Sequence, residues 1–279
     1  MSRARLLAFP AALALAALPA QAQFNLNLNR LLDVGKNLKQ ATNEVGEAEE
    51  VQIGAEMTAK LLGAAPLVPN DALQRYVNDV GRWLALQTER PDLPWRFGVI
   101  DTADVNAFAT PGGHILVTRG LVARMRSEAE LAGVLAHEIV HVLKKHHLKA
   151  LQKTAQLELA NTVAGSYASG NAGALQRREK LLSAGSELFA RGLDKDDELE
   201  ADRLGVVIAA RAGYDAYGLP SVLQTLQAMN PADSSLALMF KTHPAPAERL
   251  TALESMQPVM DATAGRPQLA ARFNGALGR

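Results

Sequence analysis

The sequence predicts an α+β fold, mostly helical, with a small β-sheet packed beside its central helix. Three observations support this. Strand-like runs are few and confined to residues 95–118. Apolar residues at helical spacing dominate on both sides of that region. The strands come together in one block instead of alternating with helices, which argues against a wound parallel sheet.

Glu47 to Leu62 reads as a helix whose apolar face carries Val51, Ile53, Met57, Leu61 and Leu62. Asn70 can cap a second helix built on Leu73, Val77, Val80, Leu84 and Leu86 and closed before Pro91. Trp95 to Asp101 has strand character. Asn106–Ala109 and His114–Thr118 are two short strands joined by Pro111-Gly112-Gly113, a turn signal. Ser127 and Glu130 then make an S-x-x-E capping box, opening a helix that the apolar spacing carries to about Leu151. Ala164 to Ala174, nearly all Gly, Ala, Ser and Asn, has too little apolar surface to pack and reads as a loop or lid. The acidic cluster Asp194–Asp197 starts another helix, where the dipole favours negative charge, and Gly213 stops it. Pro220–Met229 and Ala245–Met256 are two further helices. The stretch after Pro258 carries little pattern.

Composition excludes several functions. The 279 residues carry 29 basic and 29 acidic side chains, so no basic field points to nucleic acid. Aromatics make up only 5%, which leaves few stacking platforms for bases. With no cysteine there is no disulfide, no thiolate zinc site and no cysteine nucleophile. Any metal must be held by histidines and carboxylates. At the N-terminus, Arg3 and Arg5 precede an apolar run from Leu6 to Leu18, followed by Ala20-Gln21-Ala22. That is the pattern of a secretory signal cut after Ala22, and the run is too short to span a bilayer comfortably. The expected organisation is a signal peptide (1–22), a polar leader (23–46), one main domain (47–257) and a C-terminal tail (258–279). No transmembrane segment is expected in the mature chain.

The chemistry concentrates in His137-Glu138-Ile139-Val140-His141, an HExxH motif. On a helix, residues i and i+4 share one face, so both imidazoles can reach a single ion. Glu138 is displaced by one position and reaches the side of that ion, as a general base must. Zinc lowers the pKa of its bound water to about 7, which makes hydroxide available at neutral pH. Two histidines leave such a site one protein ligand short. Glu198 and Asp202, again i and i+4, offer a third ligand and a carboxylate to accept the outer N–H of a ligating imidazole. Spacing alone fits a solvated acidic face equally well.

Glu198-Leu199-Glu200-Ala201-Asp202 matches the E-x-x-A-D motif of the zinc metallopeptidases of the HtpX, BepA, LoiP and CAAX-prenyl-protease type. Asn106-Ala107-Phe108-Ala109 with Pro111-Gly112-Gly113 is similar to that family's strand and turn, and Thr242-His243-Pro244 to its late T-H-P motif. The resemblance covers roughly Glu47 to Leu253, with the motifs in the family's order. It implies a gluzincin-type domain with one Zn2+ on His137, His141 and Glu198 and with Glu138 as general base. The chain lacks the transmembrane helices of the membrane-embedded members, so the resemblance does not extend to prenylated substrates.

His243 sits between a poorly patterned approach and an exit stiffened by Pro244 and Pro246. It is expected near the metal, either as a donor to the tetrahedral oxyanion or as a fourth ligand of a latent state. The strand Asn106, Ala107, Phe108, Ala109 is expected to bind extended substrate through a free edge, while an internal strand would have none to offer. His146 and His147 fall off the ligand face of a continuous helix and are expected to be packing or surface residues. Together these features predict a periplasmic zinc endopeptidase acting on unfolded or misassembled envelope proteins. Its expected setting allows peripheral association with the outer membrane or its assembly machinery. The alternative is a zinc-binding chaperone or adaptor with little turnover. The intact Glu138 argues for the enzyme.

Overall fold

The computed structural model describes residues 45–154 and 192–279. The signal segment, nearly all of the leader and the Ala164–Ala174 stretch lie outside the described residues. The domain is mostly helical with one three-stranded sheet, as the sequence predicts.

Helix α1 (Glu47–Ala64) has Glu47, Glu49 and Glu50 in its first turn, where the helix dipole favours acids. Helix α2 (Asp71–Ala85) is capped by the Asn70 side chain, which accepts from the Leu73 N–H at 3.1 Å. Its buried stripe of Leu73, Val77, Val80 and Leu84 packs into the core. Strand β1 (Arg96–Ile100) runs parallel to β3 (His114–Thr118). Strand β2 (Ala107–Thr110) pairs antiparallel with β3, in the order β1-β3-β2. Gly112 and Gly113 turn the chain between β2 and β3 with φ of 77° and 102°, a region that a side chain disfavours. The fully buried Glu50 accepts from the Gly112 N–H and from Arg90, which ties α1 to this turn. The outer edge of β1 is met by Leu67, whereas β2 is an edge strand.

After a single helical turn, α3 (Arg119–Val122), comes the central helix α4 (Glu128–Leu143). The Ser127 hydroxyl accepts from the Glu130 N–H at 3.2 Å, but only half of the expected box forms. The Glu130 carboxylate reaches past Ser127 and accepts from the Arg126 N–H at 2.7 Å. The helix also ends earlier than the apolar spacing suggests. Lys144 and Lys145 form a turn, Lys145 takes φ of 56°, and a separate helical stretch follows over residues 146–154. The reason lies in the packing. Leu131, Leu135 and Ile139 of α4 belong to the main core, whereas Leu148 and Leu151 bury against Val45, Ile53 and Met57 in a second cluster. One straight helix could not face both.

Helix α5 (Lys195–Arg211) lies across α4 at close range. A methyl group on Gly205 would stand 3.0 Å from the His137 backbone nitrogen, so glycine is what lets the two backbones approach. Gly213, at φ 94°, ends α5. Helix α6 (Gly218–Gln227) packs on α4, followed by α7 (Ala237–Thr242), α8 (Pro246–Leu253), α9 (Gln257–Asp261) and α10 (Ala270–Leu277). The patternless tail is docked: Met260 and the fully buried Phe273 join the main core.

Candidate metal centre

Helix α4 is buried almost throughout, so His137, Glu138 and His141 are 2%, 3% and 1% exposed. Buried polar groups need partners, and the partners found define the site. The Nε2 atoms of His137 and His141 lie 3.0 Å apart. Glu198, on α5, brings one oxygen within 3.6 Å of His137 Nε2 and the other within 3.5 Å of His141 Nε2. Neighbouring ligands around a tetrahedral zinc at its usual bond lengths are about 3.3 Å apart. The three side chains therefore fit one zinc ion. Glu198 Oε2 is buried with no hydrogen-bond partner among the described residues, as an oxygen reserved for a cation would be. Glu198, the third ligand expected from sequence, is thus brought beside the two imidazoles.

The outer nitrogen of His137 is 2.9 Å from Asp202 Oδ1, so Asp202 accepts the Nδ1 proton and turns Nε2 towards the centre. Asp202 is itself held by Arg249 from α8, whose Nε and a terminal nitrogen reach its two oxygens at 2.8 and 2.6 Å. Sequence reasoning missed Arg249. The available signal was its register: Pro246, Arg249 and Leu253 share the buried face of α8, so a cation sits among inward positions. Sequence reasoning also misplaced His146. The Lys145 turn brings it back onto the site, 1% exposed, with Nδ1 3.0 Å from Nδ1 of His141. His147 lines the same cleft.

His243 follows α7 and lies at the centre, Nε2 3.7 Å from Glu198 Oε2. The Thr242 hydroxyl donates to the Leu238 carbonyl at 3.0 Å, so its oxygen is left to accept from His243 Nδ1 at 2.9 Å. That arrangement leaves the Nε2 lone pair facing the site. Asn106, Ala107, Phe108 and Ala109 line the cleft beside Glu138. Among the described residues the buried Asn106 amide has a partner for neither its oxygen nor its nitrogen. The Thr118 N–H donates to the Asn106 carbonyl, so pairing alternates from there, and the N–H and C=O of Ala107 and Ala109 point to the edge of β2 that is unpaired among the described residues.

Burial pushes the Glu138 carboxyl up to about 7, with His137 opposing and Glu198 adding to the shift. Burial, followed by neighbouring imidazoles, holds His141 well below its ordinary value. Burial holds His243 down at about 4, against the pull of Glu198. Burial would raise Glu198, but His243, His137 and Arg249 outweigh it and bring the carboxyl to about 2. For His137, burial and Arg249 act downward, and the bonds to Asp202 and Glu198 win, lifting it to about 9. An ionised carboxylate and a neutral His141 are already in the ligand state, whereas His137 gives up a proton on binding metal.

Two buried imidazoles one helical turn apart, a carboxylate from a crossing helix and a buried glutamate beside them define an HExxH metallopeptidase centre on an α+β frame. Residues 71–257 match the profile of Peptidase family M48, and the chain belongs to that family. It is 31% identical over 208 residues to the Beta-barrel assembly-enhancing protease of Escherichia coli (strain K12), covering 72% of this chain and 42% of that protein. It is 29% identical over 158 residues to the Mitochondrial metalloendopeptidase OMA1 of Arabidopsis thaliana, covering 56% of this chain and 30% of that protein. To the Metalloprotease LoiP of Escherichia coli (strain K12) it is 27% identical over 226 residues, covering 81% and 86%. The chain thus spans less than half the length of the E. coli assembly-enhancing protease. Family membership implies a divalent metal, and the donor set of nitrogen and carboxylate oxygen suits zinc. Among the described residues no helix is long and apolar enough to cross a membrane.

Proposed function

We propose that this protein is a periplasmic zinc-dependent endopeptidase that hydrolyses peptide bonds of unfolded or misassembled envelope proteins. The observation that carries the reading is the convergence of His137, His141 and Glu198 beside the buried carboxyl of Glu138. Zinc held by these three side chains supplies Lewis acidity, polarising the scissile carbonyl and acidifying water. Glu138 takes the proton from the attacking water and delivers it to the leaving amine as the C–N bond breaks. Asp202 and Arg249 hold His137 in the required tautomer. The outward N–H and C=O groups of Ala107 and Ala109 hold an extended peptide by main-chain hydrogen bonds. The Asn106 amide, buried without a partner among the described residues, supplies a further donor and acceptor. Main-chain capture ignores side-chain identity, which suits quality control of many substrates.

His243 has two candidate roles, and its hydrogen bond to Thr242 favours that of a fourth, inhibitory ligand. An oxyanion donor needs a proton on Nε2, whereas a Thr242 hydroxyl that donates to the Leu238 carbonyl favours the proton on Nδ1. Export rests on the Arg3/Arg5, apolar and A-x-A series, with the leader 23–46, domain 47–257 and tail 258–279 following the signal. The name of the Escherichia coli relative, Beta-barrel assembly-enhancing protease, points to a role in beta-barrel assembly, and from it we infer envelope substrates and peripheral contact with the outer membrane or its assembly machinery.

Degradation of an unfolded protein by the purified mature chain, with and without chelator, tests the reading. Glu138→Gln is expected to fold, bind zinc and lose about 10²–10⁴ in turnover. Turnover undiminished in that variant would remove Glu138 as the base. A parent protein that binds unfolded chains but cleaves none would instead support the zinc-dependent chaperone.

A further inference from the structure

The two ligating histidines are supported differently, and the second support has no counterpart in the HExxH or ExxAD motifs. His137 has a buried carboxylate, Asp202, on its outer nitrogen. His141 has a third imidazole there. His146 stands five residues along, a spacing that a continuing helix would carry to another face. It reaches His141 only because Lys145 adopts φ of 56°, a left-handed conformation costly for a residue with a side chain. That conformation is anchored: the Lys145 ammonium lies 3.3 Å from the buried Glu50, and the next helical turn buries Leu148 and Leu151.

We propose that His146 is a positioning residue that sets the tautomer and orientation of His141. The inference rests on the reading of His137, His141 and Glu198 as zinc ligands. Nε2 of His141 faces the centre, so its proton resides on Nδ1 and is donated to Nδ1 of His146 at 3.0 Å. Having accepted there, a neutral His146 carries its own proton on Nε2. It donates that proton to Glu200 at 3.1 Å, with Asp197 3.5 Å away as a second acceptor. Lys144 lies 3.5 Å from the other oxygen of Glu200. The chain of bonds His141–His146–Glu200 has one direction, and reversing it would move the His141 proton to Nε2, the atom that faces the metal.

His146, Asp197 and Glu200 are close enough to hold an ion of their own. Nδ1 of His146 is turned to His141 and its Nε2 to the two partly exposed carboxylates, which favours support of the first centre over a second one.

The test measures zinc affinity by competition with a chromophoric chelator, and measures the melting of the metal-free protein. His146→Leu removes the acceptor at similar bulk. It is expected to weaken zinc about 10–100-fold, the usual effect of losing an outer partner, while the metal-free protein melts close to the parent. His146→Asn places an amide oxygen where Nδ1 stood and is expected to restore affinity to within about threefold of the parent, since one acceptor suffices to hold the tautomer. Nitrogen-15 spectra of the unaltered zinc-loaded protein are expected to show His141 protonated on Nδ1. Parental affinity in His146→Leu, an Asn variant as weak as the Leu variant, or a proton on Nε2 of His141 would each overturn the proposal. His141→Ala serves as the control: if it binds zinc like the parent, the ligand assignment has failed and not the positioning role. None of these readouts depends on cleavage.

Discussion

Replacing Arg249 by methionine should cost more than any other change at the centre that leaves the metal ligands in place. The guanidinium is 6% exposed and makes two hydrogen bonds, at 2.8 and 2.6 Å, to Asp202, which is fully buried. Methionine keeps much of the stem volume but leaves the carboxylate with His137 as its remaining charge-compensating partner. Breaking a buried ion pair on one side costs about 3–5 kcal/mol, because the remaining charge loses its compensation. In a domain of this size each kcal/mol shifts the midpoint by about 2–4 °C, so a fall of roughly 6–20 °C is expected at pH 7. The sign with pH follows from Asp202. Burial alone would raise its carboxyl, but Arg249, then His137, depress it strongly. A depressed carboxyl contributes stability that is present above its unfolded pKa of about 3.9 and is lost as pH falls below it. The gap between parent and variant should therefore be full at neutral pH and narrow in acid. Adding Asp202→Asn to Arg249→Met removes the stranded charge and should recover part of the loss. Urea or thermal unfolding of the metal-free proteins at pH 7 and at about pH 2–3, below the unfolded carboxyl value, measures all of this. A single variant within about 1 kcal/mol of the parent at pH 7 would refute the reasoning.

Three further outcomes follow from the same geometry. His243→Ala is expected to raise turnover and weaken zinc together. Turnover reduced 10²–10³-fold with zinc unchanged would instead make His243 the oxyanion donor. Ala109→Pro removes an outward N–H from the free edge of β2 and should raise KM for unfolded substrate up to roughly tenfold, the worth of one hydrogen bond. Unchanged KM in a folded variant would move substrate elsewhere. Burial and the hydrogen bonds to Glu128 push the Tyr76 and Tyr214 hydroxyls upward, so the stability they contribute is full below about pH 10 and falls as pH rises. Melting followed from pH 8 to 11 should decline in the parent and decline less in Tyr76→Phe/Tyr214→Phe; equal slopes would place the alkaline limit at other groups.

Much of the frame was legible because its signals are local. Asn70 caps α2, Ser127 caps α4, and Pro111-Gly112-Gly113 turns β2 into β3, each through chemistry confined to four residues. HExxH and ExxAD were legible for the same reason, since helical geometry alone brings each pair onto one face. What stayed hidden depends on contacts distant in sequence. Nothing in Leu143-Lys144-Lys145-His146 contains a glycine or proline to announce a turn. The break arises because Leu148 and Leu151 belong to a second cluster with α1. Arg249 and Asp202 meet across 47 positions, and no pattern within α8 names the partner. Phe273 is buried in a segment with little periodicity of its own, because a single aromatic suffices to dock a helix of eight residues.

The mooring of that last helix has a consequence for the order of assembly. Glu128 opens α4 and is completely buried, and its partners are Tyr76, Tyr214 and Arg272. A chain that emerges from its N-terminus brings Tyr76 before Glu128 and Arg272 only 144 residues after it, so the carboxylate at the head of the HExxH helix waits for its cation until almost everything else has appeared. Until then that end of the helix would have to bury a charge without its counterion, and staying in water is the lower-energy choice. The helix that carries His137 and His141 is therefore expected to settle late, after the crossing helix and Arg249 have emerged, and a chain cut short before Arg272 is expected to lack a settled metal centre.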